Sequence, residues 1–93
     1  MAGNGRAKIM HYVYFAKSIK TGKVYIGSTR KDPVERVKEH NVGANNWSRI
    51  NKPLKLIYYE KYHCGTDALS REKFYKSGFG RRVKELIIRN LEK

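Results

Sequence analysis

Two short runs of aromatic and β-branched residues limit what this chain can fold into. They cover residues 11–18 and 23–29, and the Thr21-Gly22 pair between them is typical of a tight turn. The pattern predicts a β-hairpin. With the turn at the centre of this gap, Tyr14 and Tyr25 lie on one face, diagonally across the two strands.

A helix is predicted directly after the hairpin. Asp32 is expected to be its N-cap and Pro33 its first residue, with Glu35 as the capping-box partner. Val34 and Val37 are expected to form its buried stripe, and Gly43 is expected to end it. Arg36 and His40 are four residues apart and therefore share one helical face. That face points away from Val34, so we expect the pair to line a groove and not the core.

The remaining pattern predicts a loop, a strand and two more helices. The loop covers residues 43–52, the strand 53–62, the first helix runs from Thr66 to Ser77-Gly78, and the last begins at about residue 80. The buried side of this last helix is expected to hold Val83, Leu86, Ile87 and Leu91. The fold class is therefore α/β (α+β), a small three-stranded antiparallel sheet flanked by three helices. Residues 1–10 are expected to be a disordered basic segment, and residues 11–93 a single domain.

Charge points to a polyanionic partner. Lys and Arg number 21 against 8 Asp and Glu, a net charge of +13 that is spread through all 93 residues. Self-repulsion on this scale favours nucleic acid as the partner. An anionic membrane has little support, since the sequence has neither a basic amphipathic anchor nor an 18-residue apolar run. The single cysteine, Cys64, excludes an internal disulfide, fits a cytoplasmic setting and is expected to be a half-buried small apolar residue.

Glu72 is out of place in the pattern of its helix. At 100° per residue its carboxylate falls on the side that also carries Ala68, Leu69 and Tyr75. A carboxylate there must either have a raised pKa or meet a cation. The ordinary alternative is an ion pair with Lys76, four residues on. The functional alternative is a site for one Mg²⁺ or Mn²⁺, which often takes a single protein carboxylate and keeps its waters.

The tyrosines and the Arg36–His40 pair also allow two interpretations. Tyr14 and Tyr25 suit a half-buried sheet, but a phenol that faces a basic groove can exchange a proton when a nearby cation or metal-bound water lowers its pKa. Arg36 and His40 either form a solvated face or act on a phosphate, with the guanidinium as a clamp and the imidazole as a proton relay.

The order of these motifs resembles the GIY-YIG nuclease superfamily. Tyr12-Val13-Tyr14, the hairpin, Tyr25-Ile26-Gly27, the helix sequence ERVKEHN and the segment DALSREKFYKSGFGR follow one another as in that family. The resemblance runs from about residue 11 to residue 90, and it is nearest to small standalone members and to the N-terminal nuclease module of UvrC-type repair proteins. Three departures stand out. Tyr12 replaces the first glycine, Ser28 stands where repair-type members carry lysine, and Asn90 is at the wrong distance from Glu72 for the asparagine of some members.

The resemblance implies a three-stranded sheet with flanking helices and metal-dependent cleavage of DNA phosphodiester bonds. It implies that Tyr25 activates the attacking water, that Tyr14 supports the hydrogen-bond network of the nucleophile and that Arg36 stabilises the phosphate. It further implies that Glu72 holds one divalent cation and that His40 assists proton transfer. Of the acidic residues only Glu72 is expected to be placed for a metal, which favours one ion over two.

DNA binding is expected to be largely independent of sequence and strongly weakened by salt. We expect Trp47 to stack on a base, with Arg49, Lys52 and Lys76 on the backbone, although Trp47 also suits a loop anchor packed on the core. The competing hypothesis is a non-catalytic basic nucleic-acid-binding module on a degenerate nuclease fold. The presence of Tyr25, Arg36 and Glu72 together favours the enzyme. Oligomeric state and pathway, DNA repair included, stay open.

Overall fold

The structure is a computed structural model that describes residues 9–92. Its strands and helices are, in chain order, β1 (His11–Ser18), β2 (Val24–Thr29), α1 (Pro33–Asn41), α2 (Asn46–Asn51), β3 (Leu54–Tyr62), α3 (Gly65–Lys76) and α4 (Gly78–Leu91). Residues 1–8 of the segment predicted to be disordered lie outside the described residues, as does Lys93. Among the residues described, no helix is long and apolar enough to cross a lipid bilayer.

The hairpin and β3 form one antiparallel sheet in the order β2-β1-β3. Tyr14 lies opposite Gly27, and Ala16 lies opposite Tyr25. The predicted hairpin and its register are therefore confirmed, because Tyr14 and Tyr25 stand on one face of neighbouring strands. β2 forms one edge of the sheet and β3 the other.

The sheet lies between two layers of helices because side chains alternate along each strand. One face packs against α3 and α4 and buries Val13, Phe15, Ile26, Ala68 and Tyr75. The other face packs against α1 and α2 and buries Tyr14, Ala16, Val37 and Leu54. Both layers reach the outer edge of β2, so side chains from α1, α2, α3 and α4 can converge there.

Helix α1 begins and ends nearly as predicted. The Asp32 carboxylate accepts a hydrogen bond from the Val34 N–H, and Gly43 adopts the left-handed conformation after the helix, at φ 89°. Glu35 pairs with Lys38 instead of closing a capping box. The expectation that Val34 is buried was wrong, because only Val37 of that stripe faces the sheet.

The loop predicted over residues 43–52 contains a fourth helix, so the count of three helices was wrong. Asn45 caps α2, and its side chain accepts from the Ser48 N–H while the Ser48 hydroxyl accepts from the Asn45 N–H. This reciprocal pattern is a capping box built on Asn and Ser. The Asn-x-x-Ser spacing was the signal that would have revealed the helix.

Packing differs from prediction at both ends of the α3–α4 unit. Cys64 is exposed at the N-cap of α3, so the expected half-buried position was wrong. In α4, Val83 and Ile87 pack against the core as predicted, but Leu86 and Leu91 are exposed and Ile88 takes their place. The buried stripe of α4 is set by its crossing over α3, which periodicity alone does not specify.

A second carboxylate also faces the apolar side, which corrects the view that Glu72 alone does so. Glu60 of β3 accepts hydrogen bonds from the hydroxyls of Tyr58, Tyr62 and Tyr75, and the Arg71 guanidinium lies 3.3 Å away. Burial alone would raise the pKa of Glu60, but the three hydroxyls and the arginine outweigh it and lower that pKa below its usual range. The cluster ties α3 to β3.

Replacing Glu60 by glutamine is expected to reduce the free energy of unfolding at pH 7 by about 1–3 kcal/mol, because hydrogen bonds to a charged group are lost. The folded pKa of Glu60 is depressed, so its contribution is present above the unfolded value of about 4.3 and is lost as the pH falls through the folded pKa. The difference between wild type and variant, measured by urea unfolding, should therefore shrink towards pH 3. Glu35→Gln, at an exposed glutamate, is the control. A difference that is constant from pH 7 to pH 3 would contradict the prediction.

Candidate active site

The two predicted tyrosines meet beside a glycine at the edge of the sheet. The Tyr14 and Tyr25 rings are 6.1 Å apart between centroids. A Cβ on Gly27 would lie 2.6 Å from the Tyr14 hydroxyl oxygen and 2.8 Å from a ring carbon of Tyr25. Only a residue without a Cβ at position 27 therefore leaves room for the Tyr14 phenol to cross β2 there.

His40 is buried, which corrects the expectation that it lines a groove with Arg36. Its Nε2 lies 2.7 Å from the Tyr14 hydroxyl, and the Tyr25 ring contacts it edge-on at 4.9 Å between centroids. Its Nδ1 is buried without a hydrogen-bond partner among the described residues. Burial, reinforced by the charge of Arg36, lowers the pKa of His40, so the imidazole is neutral at pH 7.

The Tyr14 phenol is held in its protonated form. Burial raises its pKa well above the usual range, and the charges of Tyr25 and Glu72 act in the same direction while Arg36 opposes them. Tyr14 therefore suits a hydrogen-bonding role better than that of a base. The charges of Tyr25, Arg36 and Glu72 therefore all act on the protonation of this phenol.

Arg36 reaches this group of residues from α1. Its guanidinium lies 2.7 Å from a Glu39 carboxylate oxygen and is 29% exposed, so it is neither a fully solvated side chain nor a core residue. Glu39 also pairs with Lys31. The acid holds the guanidinium beside the tyrosines and leaves part of it open to an incoming anion.

Glu72 comes from α3 on the opposite side of β2. One carboxylate oxygen accepts a 2.6 Å hydrogen bond from the Ser28 hydroxyl, and the other lies 2.6 Å from the Lys76 ammonium. The expected ion pair with Lys76 is thus present, yet the Glu72 side chain is only 18% exposed and its charge acts on the pKa of Tyr14. Sequence reasoning missed the Ser28 contact, although Ser28 follows the Tyr25-Ile26-Gly27 motif directly.

The donor set at Glu72 fits a single hydrated divalent cation. The part of the chain from residue 9 to residue 92 has no cluster of three or more side chains of the metal-binding type. A glutamate with a neighbouring hydroxyl suits Mg²⁺, which takes one or two carboxylates and keeps several waters. Such an ion would replace the Lys76 ammonium on Glu72.

The predicted DNA-binding residues separate into two groups. Trp47 packs against Tyr25 at 5.2 Å between ring centroids, and Lys76 lines the same cleft. Arg49 instead donates to the Gly43 carbonyl and to Asn46, and Lys52 is exposed at the C-cap of α2. The fold brings Trp47 and Lys76 to the tyrosines and turns Arg49 towards the α1–α2 turn. Asn90 is exposed near the end of α4.

The family model for the GIY-YIG catalytic domain matches residues 10–85 of this chain. The chain belongs to the GIY-YIG family. A UPF0213 protein of Staphylococcus saprophyticus is 35% identical over 79 residues, which is 84% of this chain and 93% of the relative. UPF0213 proteins of Staphylococcus aureus are 36% identical over 63 residues, 67% of this chain and 74% of theirs.

A solved GIY-YIG relative shares the fold. The solution NMR structure of a UPF0213 protein from Bacillus halodurans has 26% sequence identity and a TM-score of 0.51, and the match covers 84% of this chain and 82% of that one. The α+β fold with a three-stranded antiparallel sheet is therefore confirmed. GIY-YIG membership indicates a nuclease-type protein that acts on DNA, in a family that generally uses divalent metals.

Proposed function

We propose that this GIY-YIG protein is a metal-dependent endonuclease that hydrolyses phosphodiester bonds in DNA by a one-metal mechanism, with Tyr25 activating the water. The observation that carries the proposal is that Tyr14 and Tyr25 meet beside Gly27, next to the Ser28 that bonds Glu72, while the charge of Arg36 acts on the Tyr14 phenol. These residues come from two strands and two helices on opposite sides of the sheet. A core built for stability alone does not need a carboxylate, a guanidinium and two phenols at one edge.

Each side chain suits one task in the reaction. Tyr25, half-buried and next to the cleft, takes a proton from the attacking water. Tyr14 and neutral His40 fix the hydrogen bonds around that position, with His40 as the acceptor to which a proton can pass. The guanidinium of Arg36 meets the negative charge that grows on the phosphoryl oxygens, an interaction worth about 3 kcal/mol in comparable sites.

Glu72 would hold one hydrated Mg²⁺ or Mn²⁺, whose chemistry is Lewis-acid stabilisation of the charge on the leaving oxygen. Ser28 orients the carboxylate through its 2.6 Å hydrogen bond. With the ion bound, Lys76 would be available to a backbone phosphate. Glu72 would then keep a cationic partner, so its charge would not be left unpaired.

The proposed substrate is DNA bound mainly through its backbone, since the net charge of +13 supports sequence-independent binding. The exposed Cys64 thiol fits a reducing compartment such as the cytoplasm. One observation favours the competing function, a non-catalytic nucleic-acid-binding module: Glu72 and Arg36 each already have a partner within the protein.

Cleavage of supercoiled plasmid with Mg²⁺, Mn²⁺ or EDTA separates the two functions. We expect nicking with either metal ion and none with EDTA. Tyr25→Phe, which keeps the ring and its packing, should lower the rate by about 10²–10⁴-fold because the base is lost. Tyr59→Phe is the matched control, since Tyr59 is exposed on β3 at the opposite edge. Cleavage that EDTA leaves unchanged would contradict the metal site, and a fully active Tyr25→Phe variant would contradict the base.

A further inference from the structure

A cleft opens beside Tyr25 at the outer edge of β2. It has a volume of about 290 Å³, at the small end for ligand sites. The side chains around it come from β2, α2, α3 and α4, and they are Val24, Tyr25, Ile26, Trp47, Tyr75, Lys76, Arg81 and Lys84. Its size suits one nucleotide and not a stacked base pair.

The charged side chains that line the cleft are all positive. They are Arg81, Lys84 and Lys76, and the Lys76 ammonium is paired with Glu72, which is not among the lining residues. Arg81 is exposed, and the Lys84 ammonium lies 3.8 Å from Glu85, too far for a close ion pair with that exposed acid. Three cations converging on so small a space favour an occupant that carries phosphate.

The opposite wall of the cleft is aromatic. Trp47 packs against Tyr25 with 5.2 Å between ring centroids, and its contacts with the core around Tyr14 hold it in place. A pre-positioned indole beside phosphate-binding cations is the arrangement that stacks an exposed base. Stacking needs an open face of the base, which a base inside an intact duplex does not offer.

A second cleft lies further along β2. It is lined by Ser28, Thr29 and Arg30 together with His11 and residues of α3. Ser28, which lines this cleft, is also the hydrogen-bond partner of Glu72. A nucleic-acid strand that follows β2 from Tyr25 would therefore pass the cationic cleft, then Glu72, then Arg30.

We propose that the Trp47 cleft holds an unpaired nucleotide adjacent to the scissile phosphate, with its base on Trp47 and its phosphates among Lys76, Arg81 and Lys84. The position next to the scissile bond rests on the proposed nuclease function. The cleft selects substrates in which a base near the cut is free, such as single strands, flaps and gaps, over fully paired DNA.

Trp47 is the single tryptophan of the chain, so its fluorescence reports directly on the cleft. The probe is an oligothymidylate in EDTA, compared with a blunt duplex of the same phosphate concentration. We expect the oligothymidylate to quench the emission and the duplex to quench it at least threefold less. Binding of both is followed in parallel by anisotropy of labelled DNA. An emission that stays constant while anisotropy shows the oligothymidylate bound would overturn the proposal.

Two double variants that remove the same charge distinguish DNA binding in the cleft from non-specific electrostatic binding. Arg81→Ala with Lys84→Ala should weaken oligothymidylate binding about tenfold and reduce the salt slope by about two, one for each lost phosphate contact. Lys55→Ala with Lys61→Ala removes two exposed cations from β3, at the other edge of the sheet. Equal losses in both double variants would overturn the proposal.

Cleavage assays on the same substrates distinguish the failure of the cleft from the failure of the nuclease assignment. Preferential cutting next to unpaired nucleotides, lost in the Arg81/Lys84 double variant, supports both. Cleavage without a change in Trp47 emission would refute nucleotide binding in the cleft but not the nuclease function. Quenching without cleavage of any substrate refutes the nuclease and with it the position next to a scissile bond.

Discussion

Glu72→Gln is expected to reduce DNA cleavage about a thousandfold. Glutamine keeps the length of the side chain and can still accept the Ser28 hydrogen bond, so α3 should stay in place. The negative charge that holds a dication is lost. Affinity for DNA should be unchanged or slightly higher, since the net charge rises from +13 to +14. Plasmid nicking and fluorescence anisotropy measure the two effects.

Asp67→Asn is the control for Glu72→Gln. Asp67 lies on the same helix, is exposed and undergoes the same change of charge. It should cut DNA at the wild-type rate. If the two variants lose activity equally, Glu72 acts only through the charge of α3 and the proposed metal site is wrong.

Gly27→Ala is expected to lower the cleavage rate about a hundredfold, because a methyl group here misplaces both phenols. The added Cβ would lie 2.6 Å from the Tyr14 hydroxyl oxygen and 2.8 Å from its ring carbon, and Tyr14 is only 1% exposed. The ring cannot move into solvent and must push against His40. We expect overpacking to reduce the free energy of unfolding by about 1–3 kcal/mol. Denaturant unfolding and single-turnover cleavage check both numbers.

Gly78→Ala is the matched glycine control. Nothing lies within 4 Å of a Cβ built there, and Gly78 is the first residue of α4. Alanine at this position should preserve both stability and activity. Wild-type cleavage by Gly27→Ala at a temperature where it is folded would show that the Tyr14 contact does not matter for the reaction.

The ion pairs at the candidate site are of a kind that substrate can replace. Arg36 with Glu39 is an i,i+3 pair and Glu72 with Lys76 is an i,i+4 pair, and both pairs are partly exposed. Fully exposed helix pairs of this spacing contribute about 0.3–0.5 kcal/mol each. A bound phosphate or dication offers a far stronger interaction than that, so these pairs keep the side chains ordered without preventing function.

The hairpin, its register and the starts of the helices were predictable because local rules govern them. Thr21-Gly22 sets the turn, Asp32-Pro33 starts α1, and Gly43 ends it. Glu72 of the candidate site was also identifiable, because it departs from the pattern of its own helix, whereas the roles of the other site residues came from the family resemblance. A local rule for α2 existed as well, in the Asn45–Ser48 capping box, but it was overlooked.

Other features depended on contacts between residues distant in the chain. His40 is buried and bonded to Tyr14, 26 residues away, and Ser28 bonds Glu72 across 44 residues. The hydroxyl of Tyr75 reaches Glu60, 15 residues away, in the same way. Helical periodicity states which face a residue occupies, but not what that face meets. Turns and caps are decided within a few residues of the chain, whereas the partners of buried polar groups depend on how helices pack across the sheet.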